Sequence, residues 1–201
     1  MSRPNAVARP VRVVLADANV LYSRVLRDYL LYAADEGLIS IAWSAEILDE
    51  MTEHLQANVA SFTAESSQRL VKAMNNAFPY AQVTITAEAL SQVAEFDLPD
   101  EGDRHVLAAT VAAAAQVLCT SNLKDFPAHV VAHLGANVMH PDLLLSWLVR
   151  ERPDEMRAVH DTAVARLPGA TDASTIAALR RAGAPAAAEL MARILNSADG
   201  G

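Results

Sequence analysis

The chain reads as an α/β protein with a central parallel sheet, and three observations carry that reading. Val11–Ala16 and Val117–Cys119 are short, β-branched, apolar runs of the kind found in strands buried on both faces. Both end abruptly in polar residues, Asp17-Ala18-Asn19 and Thr120-Ser121-Asn122. Between such runs lie segments with apolar residues at helical spacing. Strands alternating with helices imply parallel pairing with helices on both faces. In open sheets of this kind, ligands gather in the crevice outside the carboxyl ends of the strands.

In order, Met1–Pro10 is a polar, proline-containing tail. After the first strand, Val20, Leu21, Val25, Leu26, Leu30 and Ala33 share one face and predict a helix from Val20 to Ala34, ended by Glu36-Gly37. Leu38–Trp43 is extended, and Ser44 is placed to cap a helix over Ala45–Asn58. Further helices are expected over Phe62–Phe78 and Thr86–Glu95, with a weak strand at Gln82–Ile85 between them. Phe96–Gly102 is an acidic loop. Asp103 then precedes Val106, Leu107, Val111, Ala114 and Ala115, a helical set that leads into the Val117–Cys119 strand. A helix at Pro127–Leu134 and a last strand at Asn137–His140 follow. From Pro141 onward no strand signal remains, and four helical segments are split by prolines and glycines. The expected division is therefore a tail at 1–10, an α/β domain at 11–140 and a helical extension at 141–201.

Composition narrows the class. An apolar share of 52% in 201 residues supports a sizeable core, and 20% charged residues argues against disorder. The single cysteine, Cys119, lies in a core strand, so no disulfide framework is available within the chain; an inert buried thiol suits a reducing cytoplasm. Met1–Pro10 lacks the pattern of a signal peptide, and the longest apolar stretch, Val106–Cys119, is too short and too interrupted to span a bilayer. The expected setting is soluble and cytoplasmic. The net charge of −8 repels nucleic acid at long range, so any work on RNA needs cations and local basic groups.

Four acids stand at positions where chemistry collects: Asp17 after the first strand, Glu50 on a helix, Asp103 at a helix start and Asp125 after the Val117–Cys119 strand. Asn122 lies beside the last of them, and Glu46 shares a helix face with Glu50. Crowded carboxylates repel one another unless a cation neutralises them. Mg²⁺ and Mn²⁺ take such hard oxygen ligands and activate water for phosphodiester cleavage. Each acid also has an ordinary structural reading: Asp17 and Asp103 as helix caps, Glu50 on an exposed acidic face, Asp125 in a turn. Arg24, Arg27, Arg104 and Lys124 lie on the same segments as the acids and are candidate phosphate contacts. His129 and His133 have the four-residue spacing of zinc ligands, but no third ligand and no H-E-x-x-H pattern accompany them.

Taken together, VVLADANVLYS, WSAEILDEM, GDRHVLAATVAAA and VLCTSNLKDF resemble the PIN-domain nucleases, most closely the VapC-like toxins of bacterial toxin–antitoxin pairs, over about residues 11–140. The resemblance implies an α/β/α sandwich around a parallel sheet and RNA cleavage with Mg²⁺ or Mn²⁺. Asp17, Glu50, Asp103 and Asp125 then become the catalytic acids, and with Asn122 the metal ligands. It also implies a cognate antitoxin as partner and leaves a homodimer open. Asn122 stands where many relatives carry another Asp, and residues 141–201 exceed the minimal domain. An antitoxin is expected to lay an apolar helix across Leu26, Leu30, Leu48 and Leu55 and to direct a basic residue at the acids. Other readings remain: a catalytically inactive PIN-like module that binds RNA or protein, and a free-standing RNA-processing nuclease. An aspartyl phosphatase would want an acid where Asn19 stands, and a dinucleotide fold would want a Gly-rich first turn.

Overall fold

The structure is a computed structural model that describes residues 12–198; the expected tail at 1–10 lies outside the described residues. Five strands form the sheet: β1 (Arg12–Ala16), β2 (Ile39–Ser44), β3 (Gln82–Val83), β4 (Val117–Cys119) and β5 (Asn137–Met139). Their order is β3-β2-β1-β4-β5 and every pairing is parallel. Seven helices belong to this part: α1 (Ala18–Tyr22), α2 (Arg24–Asp35), α3 (Ala45–Asn58), α4 (Ala64–Ala77), α5 (Ala87–Val93), α6 (Arg104–Ala112) and α7 (Ala128–His133). The expected α/β/α sandwich is the observed fold.

The strand order sets the place of the site. It reverses at the β1–β4 pair, so the two polar loops that leave these strands open into one crevice. Register makes this concrete: Ala16 lies opposite Cys119, which brings the next residues, Asp17 and Thr120, side by side. The Asp17 backbone N–H donates to Cys119 O at 3.0 Å. Val14, Leu15, Leu118 and Cys119 are fully buried, as the apolar runs predict.

Ser44 caps α3 as expected, accepting from the Ile47 N–H at 3.3 Å. The expected helix Val20–Ala34 is instead two helices, broken at Ser23, whose backbone is extended. The break leaves the Leu21 carbonyl without its helical partner, and the Arg27 guanidinium donates to it at 2.6 Å. An unpaired buried carbonyl costs about 1–3 kcal/mol, a cost this contact avoids. The Phe62–Phe78 and Thr86–Glu95 segments form shorter helices, because Thr63 and Thr86 serve as caps rather than helical residues.

Four more helices follow: α8 (Pro141–Glu151), α9 (Pro153–Ala165), α10 (Asp172–Arg181) and α11 (Pro185–Ala198). They pack on one another, and α9 and α10 also lie against α2. Met156, Val159, Leu179 and Met191 thereby join Leu26, Tyr29 and Leu30 in one continuous core. Asp142 in α8 ties the group together by accepting from the Ala187 and Ala186 N–H groups at the start of α11, at 2.8 and 3.3 Å. A carboxylate there meets both the free N–H groups and the positive end of the helix. On the apolar faces of these helices Leu144, Leu148 and Met191 are buried, while Leu143 is exposed.

Candidate active site

Asp17 is the most constrained of the acids. It is 3% exposed and its carboxylate accepts three sets of bonds. The Ala18 N–H donates to Oδ1 at 2.7 Å, the Thr120 hydroxyl donates to Oδ2 at 2.7 Å, and the Asn19 amide donates to Oδ2. Thr120 Oγ1 in turn accepts from Asn19 Nδ2 at 3.1 Å and from the Asn122 N–H at 3.0 Å. Asn19 Oδ1 accepts from the Ser121 N–H at 2.9 Å. Two loops from two strands are thus laced together around one carboxylate. Burial pushes its pKa up, and the bonds from Thr120, Ala18 and Asn19 pull it back down.

Asp103 is positioned differently. Asp100 turns the chain by accepting from the Gly102 N–H at 2.8 Å, a 3-10 turn spans Glu101–Asp103, and α6 begins at Arg104. Asp103 stands at the cap position of α6 but its side chain makes no cap hydrogen bond, so capping does not explain it. Partial burial, and then the charges of Asp17, Asp100, Asp125 and Glu50, push its pKa up to about 6. Glu50, half-buried on α3, is raised by burial and then by Asp17. The four acids singled out in the sequence therefore share one electrostatic field. Glu46 is exposed one turn earlier on α3.

His105, on the first turn of α6, also faces the acids. Its Nδ1 donates to Gly102 O at 2.7 Å, since a carbonyl only accepts. Its Nε2 is buried without a hydrogen-bond partner among the described residues, 3.6 Å from Glu50 Oε2. Asp125 receives the side-chain amide of Asn122, so that pair is self-contained.

Among the described residues, no three side chains of His, Cys, Asp or Glu converge tightly enough to grip an ion by themselves. The crowded acids nevertheless suit a hard cation. Mg²⁺ commonly takes one or two carboxylates and keeps several waters, and Mn²⁺ favours the same ligand types. A zinc cage has no support: His133 stacks edge-on with Phe96, and among the described residues neither it nor His129 belongs to a group of three possible ligands.

The basic candidates separate into two groups. Arg27 is buried on the Leu21 carbonyl. Arg104 pairs with Glu101 and donates to the Val93 and Phe96 carbonyls, holding the acidic loop to α6. Both have structural duties in place of the expected free phosphate contact. Arg24 is exposed beside Asp28, at 3.5 Å, and Lys124 is exposed after β4.

The raised pKa of Asp103 has a consequence for stability. A carboxyl whose folded pKa exceeds its unfolded value stabilises the fold while protonated, and that contribution is lost as pH rises from about 4 through about 6. Without divalent cations, Asp103→Asn is expected to gain thermal stability relative to the parent across that window. Melting temperatures of both proteins in chelator at several pH values test it; a constant difference contradicts it.

A parallel sheet with four acids in one field beside its switch point is the arrangement of an α/β domain suited to metal-assisted phosphodiester chemistry. A PIN domain profile matches residues 12–124, more than half of the chain, and the chain belongs to the PIN domain family. PIN domains are in general nucleases. The match includes Asp17, Glu50, Asp103 and Asn122 and stops one residue short of Asp125. Comparison with curated proteins and with solved structures found no match. Among the described residues no helix is long and apolar enough to cross a membrane.

Proposed function

We propose that the chain is a Mg²⁺- or Mn²⁺-dependent endoribonuclease. The observation that carries the reading is the shared field of Asp17, Glu50, Asp103 and Asp125 at the sheet's switch point. Asp17 and Asp103 would hold the ion, with Glu50 and the Asn122–Asp125 pair around it. A bound ion supplies an activated water and neutralises charge developing on the phosphodiester. The chain's own part is orientation: Thr120, Asn19 and the Ala18 N–H fix the Asp17 carboxylate before any ligand arrives. Such preorganisation removes the cost of arranging charge during the reaction.

Two settings fit this activity. The motifs support the toxin of a toxin–antitoxin pair, located in the cytoplasm and silenced by its antitoxin. One observation favours a free-standing RNA-processing nuclease. Leu26, Leu30, Leu48 and Leu55, expected to receive the antitoxin helix, are all buried in the chain's own core. The apolar handle assigned to a partner is therefore used internally, and an antitoxin would have to approach elsewhere.

Incubating purified protein with total RNA in Mn²⁺, in Mg²⁺ and in chelator, then mapping new ends, tests the activity. Cation-dependent cuts at defined sites are expected. RNA bound but uncut in both metals would favour the inactive binding module.

A further inference from the structure

Between α2 on one bank and α9 and α10 on the other lies a cleft of about 560 Å³. Asn19 and Ser121, the same residues that lace the loops around Asp17, are part of its lining. It is thus continuous with the acid cluster, and two of its walls come from the helices that follow the matched region. We infer that this cleft takes one unpaired nucleotide of the RNA strand adjoining the scissile bond, which rests on the endoribonuclease reading.

Size and chemistry both point that way. The volume falls in the range of small-ligand sites, roughly 300–1,000 Å³. Tyr22 contributes a half-buried ring to the wall near the acids, a platform of the kind on which bases stack. Much of the remaining wall is aliphatic, which suits the face of a base rather than a charged group. Arg24 and Arg181 stand on opposite banks. Arg24 pairs with Asp28, whereas Arg181 is exposed and has no ion-pair partner among the described residues. In a chain of net charge −8, a cation at the mouth of a cleft beside an acid cluster is placed to receive a phosphate.

A base paired in a duplex cannot present its face to Tyr22, so on this reading the cleft admits only an unpaired nucleotide.

Two measurements on the full chain test this. Short single-stranded RNA carrying 4-thiouridine is crosslinked to the parent protein and the adducts are mapped; contacts are expected at Tyr22 and on α10. In parallel, Ala178→Trp, which fills the cleft, and Arg181→Glu, which lies on the surface, are assayed with Mn²⁺. KM for single-stranded RNA is expected to rise about fivefold or more with kcat little changed, the loss of one base stack or its phosphate contact. Near-UV circular dichroism shows whether Ala178→Trp has folded, and Arg181→Glu keeps the test intact if it has not. Cleavage with unchanged KM and crosslinks elsewhere overturns the cleft assignment alone. Absence of cleavage with crosslinks in the cleft overturns the nuclease reading and leaves an RNA site; absence of both removes both. A lysate protein held by the parent and lost with Ala178→Trp, while RNA binding is unaltered, would give the cleft to a protein partner and overturn the assignment.

Discussion

Asp17→Asn is expected to abolish RNA cleavage while the chain still folds. The carboxylate meets three donor groups in a buried site, and its charge is disfavoured by burial. An amide of the same shape removes that desolvation cost. It also replaces one acceptor oxygen by a donor, and the Thr120 hydroxyl, which already accepts from Asn19 and the Asn122 N–H, has no acceptor site left for it. These changes oppose each other, so the net stability change is expected to stay within about 1–2 kcal/mol, the scale of one hydrogen bond. Activity has no such compensation, since a neutral amide is a poor ligand for a hard cation. Thr120→Val gives the calibration, because it removes one of the donors that orient Asp17 and leaves the carboxylate itself in place. It is expected to weaken Mn²⁺ binding about 10–100-fold, the usual effect of losing an outer partner, with Asp17→Asn losing more. The measurements are cleavage rate and Mn²⁺ affinity for both variants, alongside melting temperature. A fully active Asp17→Asn protein sinks the assignment. Inactivity accompanied by unfolding returns Asp17 to a helix-capping role.

What was legible in the sequence was whatever depends on neighbours along the chain. β1 and β4 were readable because an apolar β-branched run followed by polar residues is a local pattern. The acids were readable for the same reason, since each stands at a strand end or on a helix flanking one. The break at Ser23 was not, because Val20, Leu21, Val25 and Leu26 keep helical spacing across it. Arg27 was misplaced as a consequence: its guanidinium answers a carbonyl that is free only because the helix breaks. His105 acquires meaning only when α3 brings Glu50 within 3.6 Å. An apolar face on α2 announced that it must be covered. Nothing along the chain said that α9 and α10, more than a hundred residues later, would cover it.

His160→Ala is expected to destabilise the whole chain more than any surface change in the extension. His160 is fully buried on α9 between two polar partners. Tyr29 on α2 contacts Nδ1 at 2.5 Å, and Asp172 at the start of α10 meets Nε2 at 3.3 Å. Burial raises the Tyr29 pKa far above neutrality, so its hydroxyl keeps its proton and donates to Nδ1. Burial also lowers the His160 pKa, so the ring is neutral and its Nε2–H faces Asp172. One imidazole therefore joins the PIN domain to two helices of the extension through a single defined tautomer. Truncation leaves a cavity and an unpaired tyrosine hydroxyl, together about 3 kcal/mol or more. Tyr29→Phe removes one bond and leaves Nδ1 open, for about 1–3 kcal/mol. The pH dependence has a fixed sign. A histidine whose folded pKa lies below its unfolded value, 6.5, stabilises the fold above that pH, and the contribution is lost as pH falls through the folded pKa. Urea unfolding of the parent and of His160→Ala on either side of about pH 6.5 therefore separates this contribution from that of Asp103, whose sign is opposite. The stability gap between them is expected to narrow in acid. A gap that stays constant with pH, or a variant as stable as the parent at neutral pH, would show that the extension is held to α2 by apolar packing alone.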